Sequence, residues 1–464
     1  MLRAWQQQCI NLAFDKYNNQ KYHFLAQATP GAGKTLMAAN LAKRMLDSQM
    51  IDFIICFSPS KTVSNSIART FSQSLNCPFD GKIGSLGCSM TYQSLRHLSD
   101  QFWVTLAKYR VLCIFDEIHH CAGDNDTNTN SWGHHILCDV QIASTYTLAL
   151  TGTPWRSNLT PVTLASYTDP DGKIVCDYQY SLSQAIKDNV CRKPTIALVD
   201  CEQSTLTRNN CIESFSSLHD LISDGEINYT TILHDQSALS HILKIAVARL
   251  KSIRSESPSA GGLIVASSVK HALKITTLLE NEFNQTTCIV TYKEDASHVR
   301  IEQFKSSNTE WIISVGMVSE GTDIPRLQVC CHLSNIKTEL YFRQILGRIL
   351  RSTSCPNQEA WLYTFAAPKL IEFAEEIEQD IPNSCLFLKL DVDTENKSSE
   401  FSKQPIEMSR TEHNVCSTSF DFFNDTDSTT THDTNEHVTN HALSLQNFKQ
   451  RVIEAFQYGQ YPRT

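Results

Sequence analysis

The stretch Ala28-Thr29-Pro30-Gly31-Ala32-Gly33-Lys34-Thr35 constrains this 464-residue chain more than any other. It follows the apolar run His23–Ala28 and precedes residues with helical periodicity, so it reads as a strand-to-helix turn. Gly31 and Gly33 can present backbone N–H groups with no Cβ in the way. Lys34 adds an ammonium, Thr35 a hydroxyl, and the helix beyond adds its positive end. That set suits a row of phosphates with a magnesium ion. The general pattern is G-x-x-x-x-G-K-[ST], and Ala28 stands at its first glycine, a departure that still permits a tight turn. We expect Gly31, Ala32, Gly33, Lys34 and Thr35 to hold the phosphates of ATP, with Thr35 reaching Mg2+.

Around that turn, apolar runs alternate with amphipathic stretches. The strands expected are His23–Ala28, Asp52–Ser58, Arg110–Phe115 and Tyr146–Thr151. This rhythm predicts a parallel sheet covered by helices on both faces. Asp169-Pro170-Asp171-Gly172 reads as a hairpin tip, and Tyr178–Asp200 as a short helix and a strand leading out of the first domain. A helix is expected near Ala238–Ile253, broken by Ser255–Gly262. A second α/β rhythm then runs through Leu263–Ala266, Thr287–Thr291, Trp311–Val315 and Val329–Leu333 to Trp361–Phe365. The expected division is 1–158 for the nucleotide-binding domain, 159–255 for a hairpin and connecting helical region, and 256–391 for a second α/β domain. Residues 392–440, rich in Ser, Thr, Asn and Asp, read as a loose acidic linker, and 441–464 as a C-terminal helix, periodic over Leu443–Tyr458.

Charge looks unfavourable for binding a polyanion until it is divided. The net is −9, but residues 371–440 alone carry 16 Asp and Glu against 4 Lys and Arg. The rest is therefore slightly basic, and a basic groove is compatible with it. No apolar run approaches the roughly 18 residues of a membrane helix, and a signal peptide is not expected. The 17 cysteines are scattered with no Cys-x-x-Cys, which suits reduced thiols and a cytoplasmic location. We expect no membrane partner.

Asp116 and Glu117 end the run Val111–Phe115. Beside a phosphate turn, Asp116 would hold Mg2+ through water and Glu117 would polarise an attacking water. Asp116-Glu117-Ile118-His119 resembles the DExH box of superfamily-two helicases, of the branch containing restriction-enzyme motors and repair translocases. Other segments follow in that family's order. Leu2-Arg3-Ala4-Trp5-Gln6 resembles its N-terminal signature, Ser58-Pro59-Ser60 and Thr91-Tyr92-Gln93-Ser94-Leu95 its strand-contacting motifs, and Thr151-Gly152-Thr153-Pro154 its third motif. Gly316–Pro325 is similar to the fifth, and Gln344-Ile345-Leu346-Gly347-Arg348-Ile349-Leu350-Arg351 to the sixth. The resemblance covers about residues 1–368.

It implies two tandem RecA-like domains with ATP between them. It also implies that Gln6 reads adenine, that Gly321 and Asp323 contact ribose, and that His119 links the acidic motif to the third motif and Gln344. Phosphoryl transfer needs charge neutralisation more than covalent help. Arg348 and Arg351, expected one helical turn apart on one face, would reach from the second domain into the first domain's site, with Gln344 alongside. Hydrolysis would then depend on closure.

The form of the third motif favours DNA over RNA. Contacts to phosphates are expected from Ser60, Thr91 and Arg156 of the first domain and from Ser267 and Lys270 of the second. His119, His120, Cys121, His134, His135 and Cys138 invite a zinc reading, but the acidic motif explains two of these residues better. The expected activity is an ATP-dependent DNA helicase or translocase. An RNA helicase, and an ATP-gated scaffold that docks a protein through its C-terminal tail, are the rivals.

Overall fold

A computed structural model describes residues 2–121, 132, 135–152, 162–167, 174–208, 211–224, 227–292, 297–316, 324–353, 355–379, 385–387 and 442–455. The linker expected over 392–440 and the hairpin tip at Asp169–Gly172 lie outside these residues.

The first half is a parallel sheet built from β1 (His23–Ala28), β2 (Phe53–Ser58), β3 (Gly87–Thr91), β4 (Val111–Asp116) and β5 (Tyr146–Thr151). Two short strands, β6 (Ser166–Tyr167) and β7 (Ile174–Val175), pair antiparallel and flank the expected hairpin tip. The sheet is completed by β8 (Tyr178–Tyr180), giving the order β3-β2-β4-β5-β1-β8. Because β1, β4 and β5 are parallel neighbours, the segments that follow them emerge on one edge. Gln27 is abreast of Thr151, and Asp116 of Leu150. Helices α1 (Ala4–Asn18), α2 (Lys34–Asp47), α3 (Lys61–Leu75) and α4 (Asp100–Leu106) accompany these strands. α2 buries Met37, Ala38, Leu41, Ala42 and Met45 along one stripe, the spacing that packs a helix on a sheet.

The chain crosses to the second sheet after β8. It runs through α5 (Leu182–Lys187) into the long β9 (Lys193–Arg208) and β10 (Cys211–Phe215), which pair antiparallel. Helices α6 (Leu218–Ser223), α7 (Tyr229–His234) and α8 (Gln236–Glu256) lead to β11 (Gly261–Ala266). Then follow α9 (Val269–Asn281), β12 (Thr287–Thr291), α10 (Ser297–Ser306), β13 (Trp311–Val315), β14 (Leu327–Leu333), α11 (Glu339–Ile349), β15 (Glu359–Phe365) and α12 (Pro368–Gln379). The last two strands are β16 (Cys385–Phe387) and β17 (Ala442–Ala455), and the order is β12-β13-β11-β14-β15-β9-β17-β16. All of it is parallel as far as β9; β17 and β16 run antiparallel. Gly262 is needed here, because a Cβ on it would lie 2.3 Å from the ring of the buried Trp311.

Three placements differ from expectation. The region 159–255 is not one connecting unit: Tyr178–Tyr180 extends the first sheet beside β1, and Lys193–Arg208 belongs to the second beside β15. The stretch 442–455, expected as part of a C-terminal helix, is a strand. It pairs with β9 from Ala442 opposite Thr207 to Glu454 opposite Thr195, so an open sheet edge overrides a weak helical pattern. Leu445 and Ile453 turn inward into the core. Finally, α11 ends at Ile349, so Arg351 lies beyond the helix that was expected to carry it. No helix among the described residues is long and apolar enough to cross a membrane.

Candidate active site

The glycine turn leaves β1 and enters α2 with Gly31 at φ 80° and Gly33 at φ 96°, the region that favours glycine. Its base is tied down on several sides. Thr29 N–H donates to the Tyr180 carbonyl of β8 at 3.1 Å, and Ala32 N–H donates to the Thr29 carbonyl at 3.2 Å. From α1, Gln6 Nε2 donates to the Gly33 carbonyl at 2.9 Å while its Oε1 accepts from Arg3 N–H at 2.9 Å. Arg3 donates to the Ala32 carbonyl at 2.7 Å. Gln6 is 1% exposed, so its side chain braces the turn in this state. A Cβ on Gly33 would meet Gln6 Nε2 at 2.8 Å. α1 is fixed by the buried Trp5, which stacks on Tyr180 with ring centroids 4.9 Å apart.

Lys34 opens α2 and is nearly buried. Its Nζ lies 3.1 Å from Glu117 Oε1 and donates to the Ala28 carbonyl at 3.2 Å. Thr35 follows it, half-buried. Glu117 sits just past β4 with φ 52° and ψ 54°, a left-handed conformation that costs energy for a residue with a Cβ. Three groups meet its carboxylate: Lys34, the Gly152 N–H at 2.9 Å, and His119 Nδ1 at 3.4 Å. His119 Nδ1 also lies 3.0 Å from Thr151 Oγ1, which joins the acidic segment to the end of β5.

Two adjacent carboxyls are thus driven apart. Burial, and after it the charge of Glu117, raises Asp116 well above the usual carboxylate range. Burial works on Glu117 in the same sense, but Lys34, His119 and the Gly152 N–H outweigh it and hold that group low. Beneath them, the buried Tyr92 hydroxyl donates to the Asp116 carbonyl at 2.8 Å, and the Tyr92 ring stacks on Trp132 at 5.5 Å.

The second sheet reaches this site from above. α11 packs on the turn so closely that a Cβ on Gly347 would lie 2.6 Å from Pro30 Cβ. Arg351, just past the helix, lies over Gly31, where a Cβ would be 3.1 Å from its Cγ. Burial brings the Arg351 guanidinium down to about 10. Gln344 and Arg348 lie on α11, both half-buried. Cys191 Sγ, on the crossover between sheets, is 3.7 Å from the Pro30 carbonyl.

The residues expected at phosphates of a polymer are less gathered. Ser60 caps α3, its Oγ accepting from Val63 N–H at 3.4 Å. Thr91 Oγ1 lies 3.1 Å from Ser94 Oγ, and Gln93 Nε2 donates to the Pro59 carbonyl at 3.3 Å, so these two segments adjoin. Ser267 Oγ lies 2.9 Å from His271 Nδ1, with Lys270 exposed beside it. Arg156, Gly321 and Asp323 lie outside the described residues. Sequence reasoning missed Tyr92 as a support, the Gly152 N–H, and the crossover residues Cys191 and Arg192. Tyr92 and Gly152 carried a signal, through their places in Thr91–Leu95 and Thr151–Pro154.

The turn fits a polyphosphate. Its two glycines leave the cradle open to N–H groups, a lysine and a helix start face it, and Asp116 and Thr35 are the oxygen donors that a magnesium ion takes. Residues 1–156 match the family described as type III restriction enzyme, res subunit. A Mycobacterium leprae protein of uncharacterised function is 31% identical over 392 residues, 81% of this chain and 64% of the relative. The DNA 3'-5' translocase XPB2 of Sulfurisphaera tokodaii is 23% identical over 258 residues, 52% of this chain and 55% of that protein. The chain thus spans less than two thirds of each relative's length. A fragment of an HsdR subunit of a type I restriction enzyme from Vibrio vulnificus YJ016 shares the fold, with a TM-score of 0.55 at 16% identity over 82% of this chain and 67% of that one.

Proposed function

We propose that this chain belongs to the superfamily-two helicase-like proteins, to which its matches point, hydrolyses ATP in the cleft between its two sheets and uses the cycle to move on DNA. The observation that carries this reading is the approach of two separate elements to one glycine turn. Lys34 and Glu117 face it from the first sheet, and Arg351 of the second lies on Gly31. In this reading the lobes divide at residues 181–192.

The geometry supports the following assignment of roles. The glycine turn orients the triphosphate, and Lys34 neutralises it. Mg2+, when bound at Thr35 and Asp116, supplies charge neutralisation between phosphates. Glu117 accepts the proton of the attacking water. At rest it is paired to Lys34 and is a weak base. Drawing Lys34 toward phosphate removes that partner, and losing an opposite charge at this range raises a carboxyl by about 1–3 pKa units. The carboxylate becomes a better base only when nucleotide is present. Arg351 and Arg348 neutralise charge on the phosphate being cut, and Gln344 orients the water with them. Ser60 and Thr91, on adjoining segments, hold phosphates of the strand from the first lobe, and Ser267 and Lys270 from the second.

DNA is the polymer of this reading, supported by the likeness to a protein named as a DNA translocase. The test is ATP turnover by the wild type and by Lys34→Ala, each with duplex DNA and with structured RNA. Duplex DNA should stimulate the wild type more than RNA does, and the variant should lose on the order of 10²-fold or more. Unchanged turnover in Lys34→Ala removes the active-site assignment, and stronger stimulation by RNA favours an RNA motor. A wild type that binds DNA without consuming ATP is a scaffold.

A further inference from the structure

The chain crosses from β8 to β9 through residues 181–192, and the end of that crossover straddles the segment carrying Arg351. Cys191 pairs with Arg351 in an isolated antiparallel bridge. The next residue, Arg192, is 1% exposed although it is an arginine. Its backbone N–H donates to the Leu350 carbonyl at 2.7 Å. Its guanidinium donates to the Leu327 carbonyl at 2.6 Å, the Ile349 carbonyl at 3.3 Å and Thr353 Oγ1 at 3.0 Å. Ile349 is the last residue of α11, where unpaired carbonyls gather negative charge. Arg192 therefore grips the chain at residues 349, 350 and 353, on both sides of Arg351, and ties all of them to β14 through Leu327.

Burying a cation among carbonyls and a hydroxyl carries a desolvation cost, and burial brings this guanidinium down to about 10. A planar fork of donors matches acceptors spread in three directions, which a single ammonium does not. An apolar side chain would fill the space but leave the helix end uncapped. The same crossover touches the phosphate turn, since Cys191 Sγ approaches the Pro30 carbonyl.

We propose that Arg192 is the positioning residue that sets Arg351 over the glycine turn, so that the covalent crossover between lobes fixes where the second lobe's cation meets the nucleotide. This rests on the function proposed above, with Arg351 as the group that neutralises phosphate.

The experiment uses the full chain and three variants, Arg192→Lys, Arg351→Ala and the double variant, with two measurements. The first is amide exchange over residues 346–354, which does not depend on ATP turnover. Arg192→Lys should speed it at least about tenfold, the weight of one charge-assisted hydrogen bond. The second is DNA-stimulated ATP hydrolysis. Arg192→Lys should lower kcat about 10–100-fold with KM for ATP moving less than about threefold, and should cost little more in the Arg351→Ala background. Unchanged exchange overturns the proposal, as does a loss of kcat that is equally large with and without Arg351. If the wild type turns over no ATP, the function above fails, and the exchange result alone decides whether Arg192 sets this segment. Should Arg192→Lys fail to fold, Thr353→Val removes one acceptor of the same grip, and the same two readouts apply with smaller shifts in the same direction.

Discussion

The two sheets have parallel cores, yet they handle charge at their strand ends in opposite ways. In the first, Lys34, Asp116 and Glu117 crowd one edge and shift one another's proton affinities. In the second, the buried groups of the corresponding region include two imidazoles, His271, which follows β11, and His332, within β14. Burial holds both imidazoles down to about 4, so they are neutral. His332 is packed against the rings of Tyr341 and Phe342 from α11. One lobe keeps its charges facing one another around a turn. The other keeps its core imidazoles neutral, commits its buried cation Arg192 to a helix end, and sets Arg351 over the turn. On the function proposed above, one scaffold serves as reaction vessel in the first lobe and as delivery arm in the second, and the side chains at a few strand ends decide which.

Removing the delivered cation gives the sharpest break in that contrast. Arg351→Ala should lower DNA-stimulated turnover by about 10²–10³-fold while nucleotide affinity falls much less. Arg351→Lys should recover little, because the ammonium is a shorter point charge. Equal turnover in wild type and variant would leave the second lobe without a part in the chemistry.

Acid should separate the lobes next. Each imidazole binds a proton more weakly in the fold than at the ordinary 6.5, so its contribution to stability is complete above pH 6.5 and is lost as pH falls toward 4. The full loss is of the order of 3 kcal/mol per group. The raised Asp116 acts in the opposite sense, so the useful quantity is the difference between wild type and His332→Phe. The melting temperature of the variant should fall less steeply between pH 6.5 and 5. Parallel profiles would show that His332 binds its proton as readily in the folded chain as in the unfolded one.

A smaller effect tests the support beneath the acids. Tyr92→Phe keeps the ring on Trp132 but removes a donor to the Asp116 carbonyl, which should cost about 1–2 kcal/mol by urea unfolding. A change within a few tenths would mean that the hydroxyl adds nothing to the acidic edge.

Much of the scaffold was legible because its strands are buried on both faces and so appear as unbroken apolar runs. His23–Ala28, Tyr146–Thr151, Thr287–Thr291 and Trp311–Val315 have the bounds that the sequence predicts. The acidic pair and the lysine were legible for a different reason, since the acids close such a run and the lysine follows one across a glycine turn. What escaped depends on distant partners. Residues 442–455 carry a faint helical pattern and become a strand only because β9 leaves an edge open. Arg351 has helical spacing from Arg348, yet the bridge to Cys191 takes the chain out of the helix first. Gln6 sits in a recognisable segment, but its hold on Gly33 needs α1 folded against the turn. Arg192, in a short run of mixed residues, looks like an ordinary surface arginine until residues 327, 349 and 353 surround it.

The strand at 442–455 bears on how this protein can be handled. It covers one flank of β9 over most of that strand's length. A version shortened to residue 441 would leave a long row of N–H and C=O groups open to any passing extended peptide, with Ile196 and Leu198 among the residues laid bare on that rim. Such a trimmed protein would be prone to stick to itself, and a loss of solubility on trimming would report on this seam rather than on the nucleotide site.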